Sequence, residues 1–191
     1  MGPIVLGEVL RNIISNCVLL QAALPIKSQL GPEQYGAKPS GYGIQGAVYK
    51  AARKLEGNII LKVDFKNAFN SINRTACMLA LEHWSPTVVL GFHGASSYVS
   101  FKSTIIPCAN GVQQGEPLSP LLFCAAIDPA IQCLSKIPGL SQLWYLDDGL
   151  LYGPPPVVAS ALNRLKELLP ALHLSINLKK CEIYSAAEYF P

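Results

Sequence analysis

The chain holds only four aspartates: Asp64, Asp128, Asp147 and Asp148. Aspartate is ordinarily scattered over solvated surface. Here three of the four stand where apolar, strand-like runs end. Asp64 follows "IILKV", and Asp147 and Asp148 follow "LWYL". If those runs are neighbouring central strands, their ends bring carboxylates side by side. Like charges a few ångströms apart in a partly buried site repel strongly. A divalent cation compensates best, and hard oxygen ligands select Mg²⁺ or Mn²⁺ over zinc. Each half alone has a plainer reading. "LDDG" is an ordinary hairpin turn signal, and a lone Asp64 suits the cap of the next segment. It is the conjunction that points to chemistry.

A third element is "NGVQQGEPLSPLLF". Gly111 and Gly115 permit close approach of backbone to a ligand. Gln113 and Gln114 offer amides able to touch a nucleobase or phosphate. Pro117 and Pro120 fix the path into a helix. Taken alone, this is equally a loop with a proline helix start.

Periodicity supplies the elements that must position these groups. Residues 7–24 have helical spacing and are expected to end before Pro25. The Gly/Pro-rich "GPEQYGAKPSGYGIQG" reads as loop, followed by a helix over 47–55. "NIILKVDF" reads as a buried strand. Ser71 is the expected cap of a helix reaching Glu82, and a short helix starts near Pro86. "SYVSFKSTIIPCA" predicts two strands joined at Lys102–Ser103. A long apolar helix follows Glu116. "SQLWYLDDGLLYG" predicts a strand, an Asp-Asp-Gly turn and a strand, with Gly149 letting the hairpin bend. An amphipathic helix after Pro154–Pro156 and a last strand in "SINLKKCEIY" close the order. The class is α+β, with an antiparallel sheet and helices packed on one face.

Composition sets the bounds. The 191 residues suffice for one domain with a real core. Half are apolar and 14% charged, against about a quarter charged in ordinary soluble domains. Such a chain is either well buried or part of a larger protein with faces that expect neighbours. A net charge of +3 admits a polyanion partner without demanding one. No stretch reaches about 18 clean apolar residues, so no membrane span is expected. The N-terminus has no secretory pattern, which predicts an intracellular protein, cytoplasmic or nuclear. The six cysteines form no Cys-x-x-Cys pair and read as buried reduced thiols rather than zinc ligands.

Together the segments resemble a reverse transcriptase of the non-LTR retrotransposon kind. "LKVDFKNAFNSINR" resembles that family's first catalytic motif, and "GVQQGEPLSPLLF" its Q-G-x-x-x-S-P-x-L-F motif. "YLDD" resembles Y/F-x-D-D, and "LSINLKKCEI" the later N-x-x-K segment. "GEVLRNII" and "GPEQYG" resemble upstream fingers segments more loosely. The resemblance implies a ferredoxin-like palm over 58–191, with a fingers return around 86–112. It also implies a mostly helical partial fingers segment over 1–57 and no thumb before the chain stops. It implies an RNA-directed DNA polymerase acting on an RNA template, a DNA primer and dNTPs with two Mg²⁺ or Mn²⁺ ions. The rest of a larger retroelement polyprotein would accompany it.

By the same resemblance, Asp64, Asp147 and the backbone carbonyl of Phe65 bind the metals, with Asp148 accessory to them. Lys180 balances the leaving pyrophosphate. Gln114 and Gly115 line the nucleotide pocket. Phe69 lies under the sugar and excludes a 2′-hydroxyl, while Tyr145 meets the primer or template. Lys62, Lys66 and Arg74 surround the first motif and are candidates for phosphate contact.

Some positions depart from the family pattern. Gly2 stands where an arginine usually grips the triphosphate, and Glu116 stands where aspartate is common. A catalytically inactive or truncated remnant with weak nucleic-acid binding is therefore the competing reading. An unrelated ligand-binding α+β domain is a distant third.

Overall fold

The computed structural model describes residues 9–36, 57–82, 97–108 and 110–185. The expected helices at 47–55 and near Pro86 lie outside them, as does Gly2. The elements run α1 (Val9–Gln29), β1 (Ile59–Val63), α2 (Ala68–Ser71), α3 (Arg74–Glu82), β2 (Ser97–Phe101), β3 (Thr104–Cys108) and α4 (Ser119–Leu134). They continue with β4 (Ser141–Tyr145), β5 (Asp148–Gly153), α5 (Pro155–Leu168), a 3₁₀ turn (Leu169–Leu172) and β6 (Glu182–Ser185). A four-stranded antiparallel sheet has the order β4-β5-β1-β6, so β1 is central. The β2–β3 hairpin forms a separate two-stranded sheet.

The two faces of the large sheet differ as the residue alternation requires. Leu61, Val63, Gly149, Leu151, Gln142 and Trp144 are buried beneath the helices. Lys62, Leu150 and Tyr152 are half-buried on the other face, with Tyr145 and Asp148 exposed. Among the described residues the helices thus cover one face and leave the other open. Helix α4 is the core's centre: Leu121 through Ile127 are all buried. A helix apolar all round must be buried all round, and each large side chain so placed is worth about 1.5–3 kcal/mol.

Three local expectations change. Helix α1 runs through Pro25 to Gln29. Proline costs a helix interior a hydrogen bond and about 3 kcal/mol, but tertiary anchoring beyond it prevails. Leu30 is buried, and the N–H of Gly31 donates to Asp128 Oδ1 at 3.0 Å. The cap of α3 is Asn73, whose Oδ1 accepts from Thr75 and Ala76 N–H at 2.9 and 3.3 Å; Ser71 instead ends α2.

The third change concerns the hairpin. Tyr145 pairs with Asp148, so the loop is Leu146–Asp147. Its first residue, Leu146, carries the positive φ of 57°, the position glycine usually fills in a II′ turn. Gly149 sits inside β5 and bends nothing. Its missing side chain makes room for the ring of Trp144, 2.4 Å from where a Cβ would stand.

No described helix is long and apolar enough to cross a membrane. Several large apolar side chains of α1 (Val9, Leu10, Ile13, Ile14 and Leu20) lie exposed, which accounts for part of the unusual composition.

Candidate active site

Antiparallel pairing of β1 with β5 sets Val63 opposite Gly149. One step further along the same register, Asp64 faces Asp148, and Asp147 follows in the turn. Neighbouring strands lie about 4.8 Å apart, so the three acids gather at one end of the central strands. They are not equivalent. Asp148 is exposed, whereas Asp64 and Asp147 are half-buried. Burial pushes the Asp147 carboxyl above the usual carboxylate range. The charges of Asp148 and Asp64 add to that, against a hydrogen bond from its own backbone.

The Oδ1 atom of Asp64 is closed to solvent and has no hydrogen-bond partner. A buried carboxylate oxygen left this way is costly unless a cation completes it. Among the described residues no group of three or more His, Cys, Asp or Glu stands ready to hold a metal. What the fold provides is a coupled pair, Asp64 with Asp147, and Asp148 at its margin. Oxygen-only donors of this kind fit Mg²⁺ or Mn²⁺.

Beyond Asp64 the chain is held by the segment before β6. Asn177 N–H donates to the Asp64 carbonyl at 2.8 Å, and Lys66 N–H to the Ser175 carbonyl at 2.9 Å. Carbonyls alternate along extended backbone. With that of Asp64 taken on the β6 side, that of Phe65 faces the β5 side. Phe65 itself is buried and stacked on Trp144 at 5.9 Å. Between Ile176 and Glu182 the chain departs from the ladder in a turn, with Lys180 N–H and Cys181 N–H both bonded to the Asn177 carbonyl. Lys180 is exposed on this turn, two backbone hydrogen bonds away from Asp64 by way of Asn177.

The glutamine loop is pinned to α2. Val112 N–H donates to the Phe69 carbonyl at 2.7 Å and Gly111 N–H to the Ile72 carbonyl at 2.9 Å. Gly111 serves this packing rather than a ligand: a Cβ there would lie 2.4 Å from the Asn70 carbonyl oxygen. Gln114 is half-buried and Gly115, at φ 102°, is exposed. Phe69 is 9% exposed, and its ring stacks on Phe123 at 4.8 Å, so it is a core residue. Tyr145 is 43% exposed on the open face.

The basic candidates separate. Lys62 pairs with Glu182 at 3.1 Å and Arg74 Nε donates to the Gly111 carbonyl at 3.0 Å, while Lys66 is exposed.

Two relationships are absent from the sequence reading. Glu116 is buried, with Ser15 of α1 donating to its Oε1 at 2.6 Å and Ser119 to its Oε2 at 3.2 Å. Gln34 is also buried, and its side chain grips Leu146 in the acidic turn. The only signal for the second was the loose family likeness of "GPEQYG".

Residues 5–190 match the reverse transcriptase (RNA-dependent DNA polymerase) family. The chain belongs to that family. It is also 28% identical over 153 residues to the retrovirus-related Pol polyprotein from type-1 retrotransposable element R2 of Nasonia vitripennis. That relative is a retrotransposon polyprotein, the kind of protein that the sequence motifs resemble. The match covers 71% of this chain and 15% of that polyprotein, so the domain spans a small part of its relative.

Among solved structures, apo telomerase from Candida tropicalis superposes with a TM-score of 0.68 at 10% identity, over 93% of this chain and 37% of that one. Telomerase from Candida albicans, in complex with a fragment of telomeric RNA, gives 0.60 at 15% identity, over 94% and 34%. At such identities the likeness shows the fold, a reverse transcriptase palm and fingers of helices on an antiparallel sheet.

Proposed function

We propose that this domain adds deoxynucleotides to a primer 3′-hydroxyl on an RNA template. The observation that carries the reading is the half-buried, mutually repelling pair Asp64 and Asp147 with an unpartnered Asp64 oxygen, at the edge of an open sheet face. Asp64, Asp147 and the Phe65 carbonyl would hold the divalent ions, with Asp148 beside them. Such ions, when bound, favour ionisation of the primer hydroxyl and neutralise charge on the departing phosphates.

The chain's own residues supply position. β1 and β5 fix the acids at adjoining strand ends, and the stacked Phe65 and Trp144 keep the β1 end rigid. The loop of Gln114 and Gly115, tied to the Phe69 turn, borders the nucleotide. Phe69, at that turn, would lie under the sugar and reject a 2′-hydroxyl. Tyr145 and Asp148 stand on the open face, where a primer–template would lie. Lys180, on the turn beside Asp64, brings positive charge to the leaving group.

The test is dNTP incorporation on a primed RNA template with Mg²⁺ or Mn²⁺, beside an Asp147→Asn control. Incorporation that the control loses supports the reading. Equal signals from both would leave the chain a non-catalytic remnant.

A further inference from the structure

Leu146 occupies a backbone conformation that its turn needs and its side chain disfavours. Its φ is 57°, a left-handed value routine for glycine and uncommon for a residue with a Cβ. It immediately precedes Asp147, so the direction of that carboxylate depends on Leu146 keeping this conformation.

The structure shows what keeps it. Gln34 is completely buried. Its Oε1 accepts the Leu146 N–H at 3.0 Å, and its Nε2 donates to the Leu146 carbonyl at 3.3 Å. One amide side chain thereby brackets both polar groups of the strained residue. The same Oε1 accepts the Gly36 N–H at 2.9 Å. A Cβ on Gly36 would stand 2.5 Å from the Leu146 nitrogen, so only glycine lets the segment come this close.

Gln34 is itself held from both sides. Trp144 N–H donates to the Glu33 carbonyl at 2.8 Å and Tyr35 N–H to the Trp144 carbonyl at 2.7 Å, so Gln34 forms a single parallel bridge with Trp144 of β4. At its start Gly31 N–H is fixed by Asp128, the aspartate that the strand ends leave unexplained. Ser135, the residue that caps the end of α4, donates to Glu33 Oε1 at 2.9 Å.

We propose that Gln34 is a positioning residue for catalysis. Its side-chain amide locks Leu146 in the left-handed conformation and so aims Asp147 at the metal position. The proposal rests on the polymerase reading for its consequence, but the lock itself is a property of the fold. Glutamine suits the task because one planar group offers an acceptor and a donor together. Glutamate lacks the donor, and leucine of similar size lacks both.

The test compares Gln34→Leu with the unaltered chain in two ways. Amide hydrogen exchange reads the lock without metal or substrate. Exchange at Leu146 should quicken at least about ten-fold while amides within α4 keep their rates. Single-nucleotide incorporation reads the consequence. The kcat should fall about ten-fold or more with KM for dNTP little changed, since misaiming one ligand affects the reacting geometry.

Leu146→Gly added to Gln34→Leu should restore most of kcat, because glycine takes a positive φ without strain. A merely structural Gln34 would not be rescued in this way. Unchanged Leu146 exchange in Gln34→Leu would overturn the lock. A full kcat in that variant would overturn the positioning role. If the unaltered chain shows no incorporation at all, the polymerase reading fails, and the exchange result still decides whether Gln34 holds the turn.

Discussion

The indole of Trp144 occupies the space that a side chain on Gly149 would fill, 2.4 Å from the position of a Cβ. The ring cannot retreat easily. It is fully buried, stacks on Phe65, and donates from Nε1 to Gln142 Oε1 at 2.8 Å. Gly149→Ala should therefore destabilise the domain by about 1–3 kcal/mol, the usual cost of overpacking. It should lower activity further, because Phe65 adjoins Asp64. Urea unfolding checks the first part, and an unchanged midpoint would mean that the ring is free to move.

A second prediction concerns pH. Burial, reinforced by Asp148 and Asp64, raises the Asp147 pKa above its ordinary value of 3.8. The folded protein then holds this proton more tightly than the unfolded chain does. By linkage, the associated stability is fully present below about pH 3.8 and is lost as pH rises through the folded value. Asp147→Asn should accordingly raise the Tm at pH 7, with the advantage shrinking as pH falls towards 3.8. Added Mg²⁺ should raise the Tm of the unaltered chain and leave that of the variant unchanged. Thermal unfolding across pH, with and without metal, reads both. A variant less stable than the parent at pH 7 would contradict the sign.

Phe69 poses a question of dual use. Its ring is mostly core, so Phe69→Val must cost stability, of the order of 1–3 kcal/mol by analogy with other core truncations. Loss of total activity therefore decides nothing. The ratio of kcat/KM for a dNTP to that for the matching ribonucleotide is independent of how much protein is folded. That ratio should fall at least about ten-fold, some 1.4 kcal/mol of discrimination. An unchanged ratio would return Phe69 wholly to the core.

The cysteines offer a test of the interior. Burial pushes the thiols of Cys77 and Cys124 up to about 12, so neither presents a thiolate at neutral pH. Cys17 is exposed on α1. Brief alkylation of native protein at pH 8, mapped by mass spectrometry, should mark Cys17 and spare Cys77 and Cys124 until denaturant is added. Early labelling of Cys124 would mean that α4 is not the closed centre of the fold.

Much of this was legible in the sequence because local chemistry and tertiary demand agree there. "IILKV" is a central strand as its pattern indicates, whereas "LWYL" supplies an edge strand and the first turn residue, and it is the intervening β5 that brings Asp148 opposite Asp64. The β2–β3 hairpin turns at Lys102–Ser103 as its pattern indicates. What escaped depended on distant partners. Pro25 looked like a stop because proline opposes helix locally, while the anchoring beyond it comes from Asp128, 97 residues away from Gly31. Gly149 looked like a turn residue because Asp-Gly usually is one; its function is set by the ring of Trp144. The Gln34 contact with Leu146 spans 112 residues, and no periodicity reports such a pairing.

The central claim is that Asp64 and Asp147 hold a divalent cation together. The most direct measurement is titration of the full chain with Mn²⁺ at pH 7, following the free ion by electron paramagnetic resonance, for the unaltered protein, Asp64→Asn and Asp147→Asn. Shared coordination predicts saturable binding that each substitution weakens by at least about ten-fold, since either one removes a charged oxygen ligand from the same ion. Binding of equal strength in all three proteins would contradict it.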